Sequence, residues 1–297
     1  FTRVNLALVN VPAATKTVVD LNDHLDYSVP TVPQNVRNRS LGDPRGIAWN
    51  LGGTRAYVTG MGSNNVVVID SLGNRAGLAP TIEVGTGPTG IVAHHTANRL
   101  YVLNKFAATI SVIDMASELE TDVVPFHNPE PRKLGLGRKH LYSTHDTSGL
   151  GQIACGSCHV DARMDRLAWD LGNPAGDMKV LNQNLGAGIP GLTEQFEDWH
   201  PMKGPMLTQT LQDIIGKEPL HWRGDKDGLE EFNAAFTGLQ GDDVQLTPSQ
   251  MQEFEDFLAT IHYPPNPFRN FDNSLPADLP LPGHYTTERF GPFGLPL

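Results

Sequence analysis

The stretch PRGIAWNLGGTRAYVTGMGSNNVVVID at 44–70 recurs 44 residues later as PTGIVAHHTANRLYVLNKFAATISVID at 88–114. Pro44 falls on Pro88, Gly46 on Gly90, Arg55 on Arg99, Tyr57 on Tyr101 and Asp70 on Asp114. An incomplete earlier copy, LALVNVPAATKTVVD at 6–20, matches 100–114 at a constant offset of 94. Each copy reads as an apolar β-run, a short turn, a second β-run and then Asp. Around the turn MGSN, residues 55–60 and 65–69 are β-branched and aromatic, which predicts a hairpin.

A unit of this kind buries its apolar faces only by stacking on its neighbours, and a period near 44 with several strands per unit is the signature of a β-propeller blade. YVTG at 57–60 and YVLN at 101–104 resemble the signature of the YVTN-type propeller repeat. Two whole blades and the tail of a third fit into residues 1–120, whereas closed propellers use about 4–8. The expectation is that further blades precede Phe1 or come from another chain. The absence of an initiator Met or a leader pattern at Phe1 likewise reads as a processed chain or a segment of a longer one.

From about residue 116 the β-period fails. SELETDVVPFHNPEPRKLGLG is charged and carries prolines, so 121–135 reads as a linker. Beyond it, Thr247-Pro248-Ser249-Gln250 forms a capping box with Pro at the first helical position. Met251, Phe254, Leu258 and Ile261 follow at helical spacing up to Pro264. Leu229, Phe232, Phe236 and Leu239 make a second stripe, with Gly241 as its C-cap. The region 136–265 is therefore expected to be mainly α-helical, and 266–297 a proline-rich extended tail.

Both cysteines of the chain fall in IACGSCHVDARMD at 153–165. Cys155-Gly-Ser-Cys158-His159 has the spacing of covalent haem c attachment. Two thiols on one helical turn add to the haem vinyl groups, and the adjacent imidazole meets the iron. A thioredoxin-like dithiol needs this motif at a helix start after a strand. A zinc site needs two more ligands at suitable spacing. Neither context is visible.

The flanks carry a second resemblance. GRKHLYSTHDTSGLGQIACGSCHVDARMDRLAWDLGNP at 137–174, MKGPMLTQTL at 202–211 and LHWRGDKDGLEEFNAAF at 220–236 are similar to a haem domain of the bacterial di-haem cytochrome c peroxidases. The resemblance implies one covalent haem c on Cys155 and Cys158, with His159 as proximal ligand. It also implies a multi-domain β + α protein: a partial β-propeller of two to three blades followed by a mainly α-helical cytochrome c-like domain. That family carries two haems and this chain has one such motif, which counts against a peroxidase.

The family places a Met ligand near a position that Phe236 occupies here, and Phe cannot bind iron. Met206 is the first replacement, since a loop could present it after Gly204-Pro205; Met202 and His200 are the alternatives. His221 and His145 are further candidates, and an open site is the remaining one. Arg223 is a candidate for a haem propionate, with Trp222 against the macrocycle edge and His221 beside them. The same string also reads as a turn in which Arg223 pairs with Asp225. Arg163 is a second propionate candidate, and Trp169 and Trp199 read as core or haem-wall residues. His94-His95 lacks a third metal ligand.

The net charge of −11, from 22 basic against 33 acidic residues, argues against a nucleic-acid partner and favours a basic or neutral redox partner. No run of 18 apolar residues occurs, so no transmembrane segment is expected. Walker A, HExxH and GxSxG motifs are absent, and Gly241-Asp242-Asp243 reads as a solvated turn. The expected function is electron transfer to or from another cytochrome or oxidoreductase, with the propeller as docking module. A peroxidase-like enzyme with an open distal site, using His221 or Glu218 as acid/base, is the second reading; a binding module stabilised by haem is the third. Covalent haem implies export to the periplasm or cell surface.

Overall fold

Three hairpins share one turn geometry. In the computed structural model, β1 (Asn5–Asn10) pairs with β2 (Thr15–Asp20), β4 (Arg55–Gly60) with β5 (Asn65–Asp70), and β8 (Arg99–Asn104) with β9 (Thr109–Asp114). Each hairpin closes through four residues, the last left-handed: Ala14 at φ 51°, Asn64 at 54° and Ala108 at 53°. Asn accepts that conformation readily, whereas each Ala stays there at a cost of about 1–2 kcal/mol. The structure describes residues 2–171, 204–222, 224–264 and, in the tail, Asn266, Arg269, Asn270, Asp272 and Ser274.

Around two of the hairpins the repeat builds a four-stranded antiparallel sheet. β3 (Pro44–Trp49), β4, β5 and β6 (Ile82–Glu83) form the first; β7 (Pro88–His94), β8, β9 and β10 (Leu119–Pro125) form the second. The register slips at the same place in both, between Pro44 and Gly46 and between Pro88 and Gly90. The sheets stack face to face. Ala48, Tyr57, Val66, Val68 and Ile82 of the first meet Leu100, Val102, Ile113 and Met115 of the second. On the other face of the first sheet, Ala56, Val58, Val67 and Ile69 are covered by Val4, Leu21 and Leu41. β5 is buried on both faces, which is why VVVI at 66–69 is continuously apolar instead of alternating. These residues form a partial, propeller-like array. The β1–β2 hairpin is not a full blade, for it turns Leu6 inward and leaves Val9 and Val18 exposed.

β10 includes residues that the charge and proline pattern assigns to a linker. Glu120 and Asp122 obscure its alternation, and a bulge between them breaks the register. Only 126–131 separates it from the next helix.

The remainder of 1–261, which is one compact unit, is built from short helices and irregular chain. α1 (Gln34–Arg37) lies between the first hairpin and the first sheet. After the sheets come α2 (Arg132–Tyr142), α3 (Thr144–Thr147), α4 (Cys155–Cys158), α5 (Ala234–Gly238) and α6 (Pro248–Leu258). β11 (Ala168–Trp169) and β12 (Met206–Leu207) make a small ribbon. α6 starts as its sequence dictates. The Thr247 hydroxyl accepts the Gln250 amide N–H at 3.3 Å, and the Gln250 side chain accepts the Thr247 N–H at 2.8 Å. Met251, Phe254 and Leu258 are buried with Leu229, Phe236 and Leu141, and Ile261 packs against them. α2 crosses α6 closely at Gly137, where any Cβ would stand 2.0 Å from the Glu253 carbonyl oxygen.

Two connections join the helices to the sheets. The Arg138 guanidinium lies 4.8 Å from the Phe106 ring in the β8–β9 turn and 5.7 Å from Phe257. Thr144 N–H donates to the Gly62 carbonyl, in the β4–β5 turn, at 2.9 Å. Arg37 makes a separate tie, from α1 to the chain after α5. Its side chain is 4% exposed and donates to the Val32 carbonyl at 2.8 Å and to Asp242 at 2.9 Å, and it also pairs with Asp243. Among the described residues, no helix is long and apolar enough to cross a membrane.

Two outcomes follow from this packing. Arg37→Met leaves the Asp242 carboxylate buried without its counter-charge, a loss of about 3–5 kcal/mol that a shift in urea midpoint will show. Acid also weakens the fold through histidine. Burial, helped by Arg75 and Arg39, lowers His24 to about 4, and burial lowers His140 and His145 as well. These groups are neutral when folded and take up protons near pH 6.5 when unfolded. Their contribution is therefore complete above 6.5 and is lost as pH falls through the interval down to about 4 for His24. The urea midpoint at pH 5 will lie below that at pH 7.5, and His24→Leu will flatten the difference.

Candidate functional site

Cys155–Cys158 is a single helical turn, α4, with His159 as its C-cap. Irregular chain, not a strand, leads into it, so the context of a thioredoxin-type dithiol is missing. The turn is capped from within: Ala154 N–H donates to the Ser157 hydroxyl at 3.0 Å. Gly156 lies against Tyr142, whose ring atoms would be 2.7 and 2.8 Å from a Cβ at that position. The residue between the cysteines is thus small because the α2 aromatic occupies the side-chain space.

The environment of Cys155 is apolar. Cys155 packs against the core of Leu141, Phe236, Met251 and Phe254, and Gln240 Nε2 donates to its sulfur at 3.3 Å. Burial pushes the Cys155 thiol up to about 11; burial and the charge of Asp165 raise Cys158 as well. Reactive dithiols are shifted the other way.

The His159 ring has a fixed tautomer. Its Nδ1 lies 2.7 Å from the Gln209 carbonyl oxygen, which can only accept, so Nδ1 carries the proton and Nε2 presents a lone pair. Burial holds the ring below its usual pKa, against the opposing pull of the Gln209 hydrogen bond. The segment that supplies this carbonyl is clamped to the motif. Leu211 N–H donates to the Ala162 carbonyl at 2.9 Å and Thr208 N–H to the Leu167 carbonyl at 3.3 Å. Nitrogen with a backed imidazole and two sulfurs on one turn is the donor set that a covalently held metallomacrocycle needs. Among the described residues, no group of three or more His, Cys, Asp or Glu is arranged to hold a bare metal ion.

The other candidates are placed as follows. Met206 is half-buried in the β11–β12 ribbon, opposite Trp169, three residues before Gln209. It is therefore tethered to the carbonyl behind the ring by a link of about 10 Å. Trp222 is 59% exposed, and its indole N–H donates to the Leu207 carbonyl at 2.7 Å. His221 is tied to Asp225 at 2.9 Å and stacks edge-on against Phe232. Trp169 donates to Asp165 at 2.6 Å. Phe236 is 2% exposed, a core residue against Phe254. His145 Nε2 bonds the Ser40 carbonyl at 2.9 Å. Glu218 caps its own turn by accepting Gly216 N–H at 3.1 Å. Arg163 is exposed. His94 Nδ1 accepts the Ala97 N–H at 3.1 Å and so closes a turn. Arg223, Met202, His200 and Trp199 lie outside the described residues.

Three contributors are not apparent from residue type. Gln209 acts through its backbone, and Gln240 is remote in sequence. Arg45, from the first sheet, reaches Asp161 at 3.2 Å and Asp43 at 3.0 Å, which puts a guanidinium two residues from His159. Its neighbour Asp161 is held left-handed at φ 53°.

No protein-family model matches the chain, and no curated protein matches it. Among solved structures it is similar to hydrazine synthase of Kuenenia stuttgartiensis, at 21% identity and a TM-score of 0.31 over 43% of this chain and 31% of that one. It is also similar to apo AztD of Citrobacter koseri, at 16% identity and a TM-score of 0.30 over 42% and 30% of the two chains. A functionally unknown protein from Desulfotomaculum acetoxidans is similar at 17% identity and a TM-score of 0.31, over 42% of this chain and 36% of that one. The chain spans about a third of the length of each of these structures.

Proposed function

We propose that this protein is an electron-transfer c-type cytochrome, with a YVTN-type propeller segment and one haem c attached through Cys155 and Cys158. The observation that carries the reading is the 2.7 Å hydrogen bond from His159 Nδ1 to the Gln209 carbonyl. Iron-ligating histidines are oriented in this way by the proton on their other nitrogen, which also makes the ligand more basic. The sequence resemblance to the di-haem peroxidase family supports treating 136–265 as a cytochrome c-like domain. Bound haem c supplies a one-electron Fe(III)/Fe(II) couple. The chain holds the imidazole orientation with Gln209 and keeps the Cys155 sulfur against Phe236 and Phe254, while Arg45, paired with Asp43 and Asp161, braces the segment that follows His159.

Met206, presented after Gly204-Pro205, would be the first candidate for a further iron ligand, with Met202 and His200 as the alternatives. The proposed site of action is the periplasm or cell surface, and the proposed partner is a basic or neutral redox protein, which suits the net charge of −11.

The peroxidase-like reading has one observation in its favour: Phe236 is a core residue where the family has a Met ligand. A visible spectrum separates the two. The electron-carrier reading expects a low-spin spectrum with a methionine–iron charge-transfer band and no rapid binding of cyanide. A high-spin spectrum with fast cyanide uptake supports the peroxidase-like enzyme instead. Met206→Ala will abolish the methionine band; a band that survives assigns the ligand to Met202 instead. His159→Ala will retain covalently attached haem but lose the low-spin spectrum.

A further inference from the structure

We infer that the Asp43–Pro44 peptide bond is a self-cleavage site, at which the Asp43 carboxyl attacks its own main-chain carbonyl and frees Pro44 as a new N-terminus. The first sheet departs from its repeat at this corner. The residue before the strand-opening proline has a positive φ in both copies, 49° at Asp43 and 68° at Gly87. The second copy meets that demand with glycine, and a Cβ there would run into the Phe106 ring. The first copy meets it with an L-residue, at a steric cost, in a place that the following proline already restricts. The facing position has changed as well. Gly62 stands where Phe106 stands 44 residues on, which opens the space that the Asp43 side chain takes. A carboxyl has thus been placed on strained backbone where glycine would relieve the strain, and such residues gather at functional places.

The bond is prepared from both sides. The Asp43 carbonyl oxygen accepts the Met61 N–H at 2.9 Å. A donor so placed stabilises the negative charge that grows on this oxygen when its carbon is attacked. Arg45 holds the carboxyl with two nitrogens, at 3.0 Å from one oxygen and 3.1 Å from the other. The Asp43 side chain is 17% exposed. Burial outweighs the pull of Arg45 and, with the charge of Asp161, pushes the carboxyl above its ordinary range. Tyr142, the remaining titratable group near it, is itself pushed up to about 12 by burial and stays neutral. The carboxyl therefore keeps its proton at milder acidity than an exposed aspartate does. Pro44 supplies the leaving group through a tertiary amide nitrogen, and its exposure admits water.

The reaction consumes water and nothing else. A carboxyl oxygen of Asp43 bonds to the main-chain carbonyl carbon of the same residue and closes a cyclic anhydride. The C–N bond to Pro44 breaks, and the carboxyl proton passes to the proline nitrogen. Water then opens the anhydride to two carboxyl groups. Nothing is oxidised or reduced, and the two pieces together exceed the chain by one water. They stay packed, because Val4, Leu21 and Leu41 of the N-terminal piece are buried with Ala56, Val58, Val67 and Ile69 of the other.

The test incubates the whole protein, folded and in urea, and follows it by denaturing mass spectrometry and N-terminal sequencing. The folded chain should release a piece that begins PRGIAWN, about tenfold or more faster than the unfolded chain does. The rate should be higher at about pH 5.5 than at about pH 7.5, because the reacting carboxyl is the protonated one. Asp43→Gly gives the first copy the residue of the second, so it should fold and stay intact; Asp43→Asn, which also accepts a positive φ, should do the same. A folded parent that stays intact, cleavage no faster than in urea, or a cut before Pro44 that persists in Asp43→Gly overturns the proposal.

Discussion

The carbonyl of Gln209 decides what His159 can do. A carbonyl accepts and never donates, so the bond at 2.7 Å fixes the proton on Nδ1 and leaves Nε2 as the available lone pair. The chain near Gln209 must run behind the ring, and the bonds of Leu211 and Thr208 to 162 and 167 hold it there. That threading also determines which side chains are left to act on the other side. It sets Met206 opposite Trp169 in the ribbon, and it brings Trp222 to Leu207.

The site does not stand on the helices alone. α2 ends in Tyr142, whose ring fills the space over Gly156, and the same ring lies 5.4 Å from Phe106 in a sheet turn. Arg138 continues the contact between Phe106 and Phe257. At the other end, Arg37 links α1 to Asp242 and Asp243, two and three residues from the glutamine that bonds Cys155. The propeller-like sheets and the thiol turn therefore share one packed unit.

The sequence makes some of this legible and hides the rest for physical reasons. The β4–β5 hairpin and the α6 cap were readable because each depends on local chemistry repeated or punctuated at fixed spacing. β10 was hidden because its outer residues are charged and its pairing partner, β9, supplies the order. Leu239, on the helical stripe, lies 55% exposed, since α5 ends at Gly238. Gln209 had no signal at all: a backbone carbonyl acts without regard to residue type. Arg45 and Arg37 are long-range partners, visible only once the chain has brought Asp161 and Asp242 to them. Cys155-Gly-Ser-Cys158-His159 suggests its chemistry by spacing, whereas the carbonyl behind His159 is found only by following the path of the chain.

Covalent attachment at that motif is the claim on which the proposed function rests, and intact mass under denaturing conditions reads it directly. The protein produced with a c-type maturation system should keep the mass of one haem after acid–acetone extraction, and replacing both Cys155 and Cys158 by Ser should abolish it. A chain that loses all its haem on extraction, or in which both thiols still titrate as free, would contradict the account.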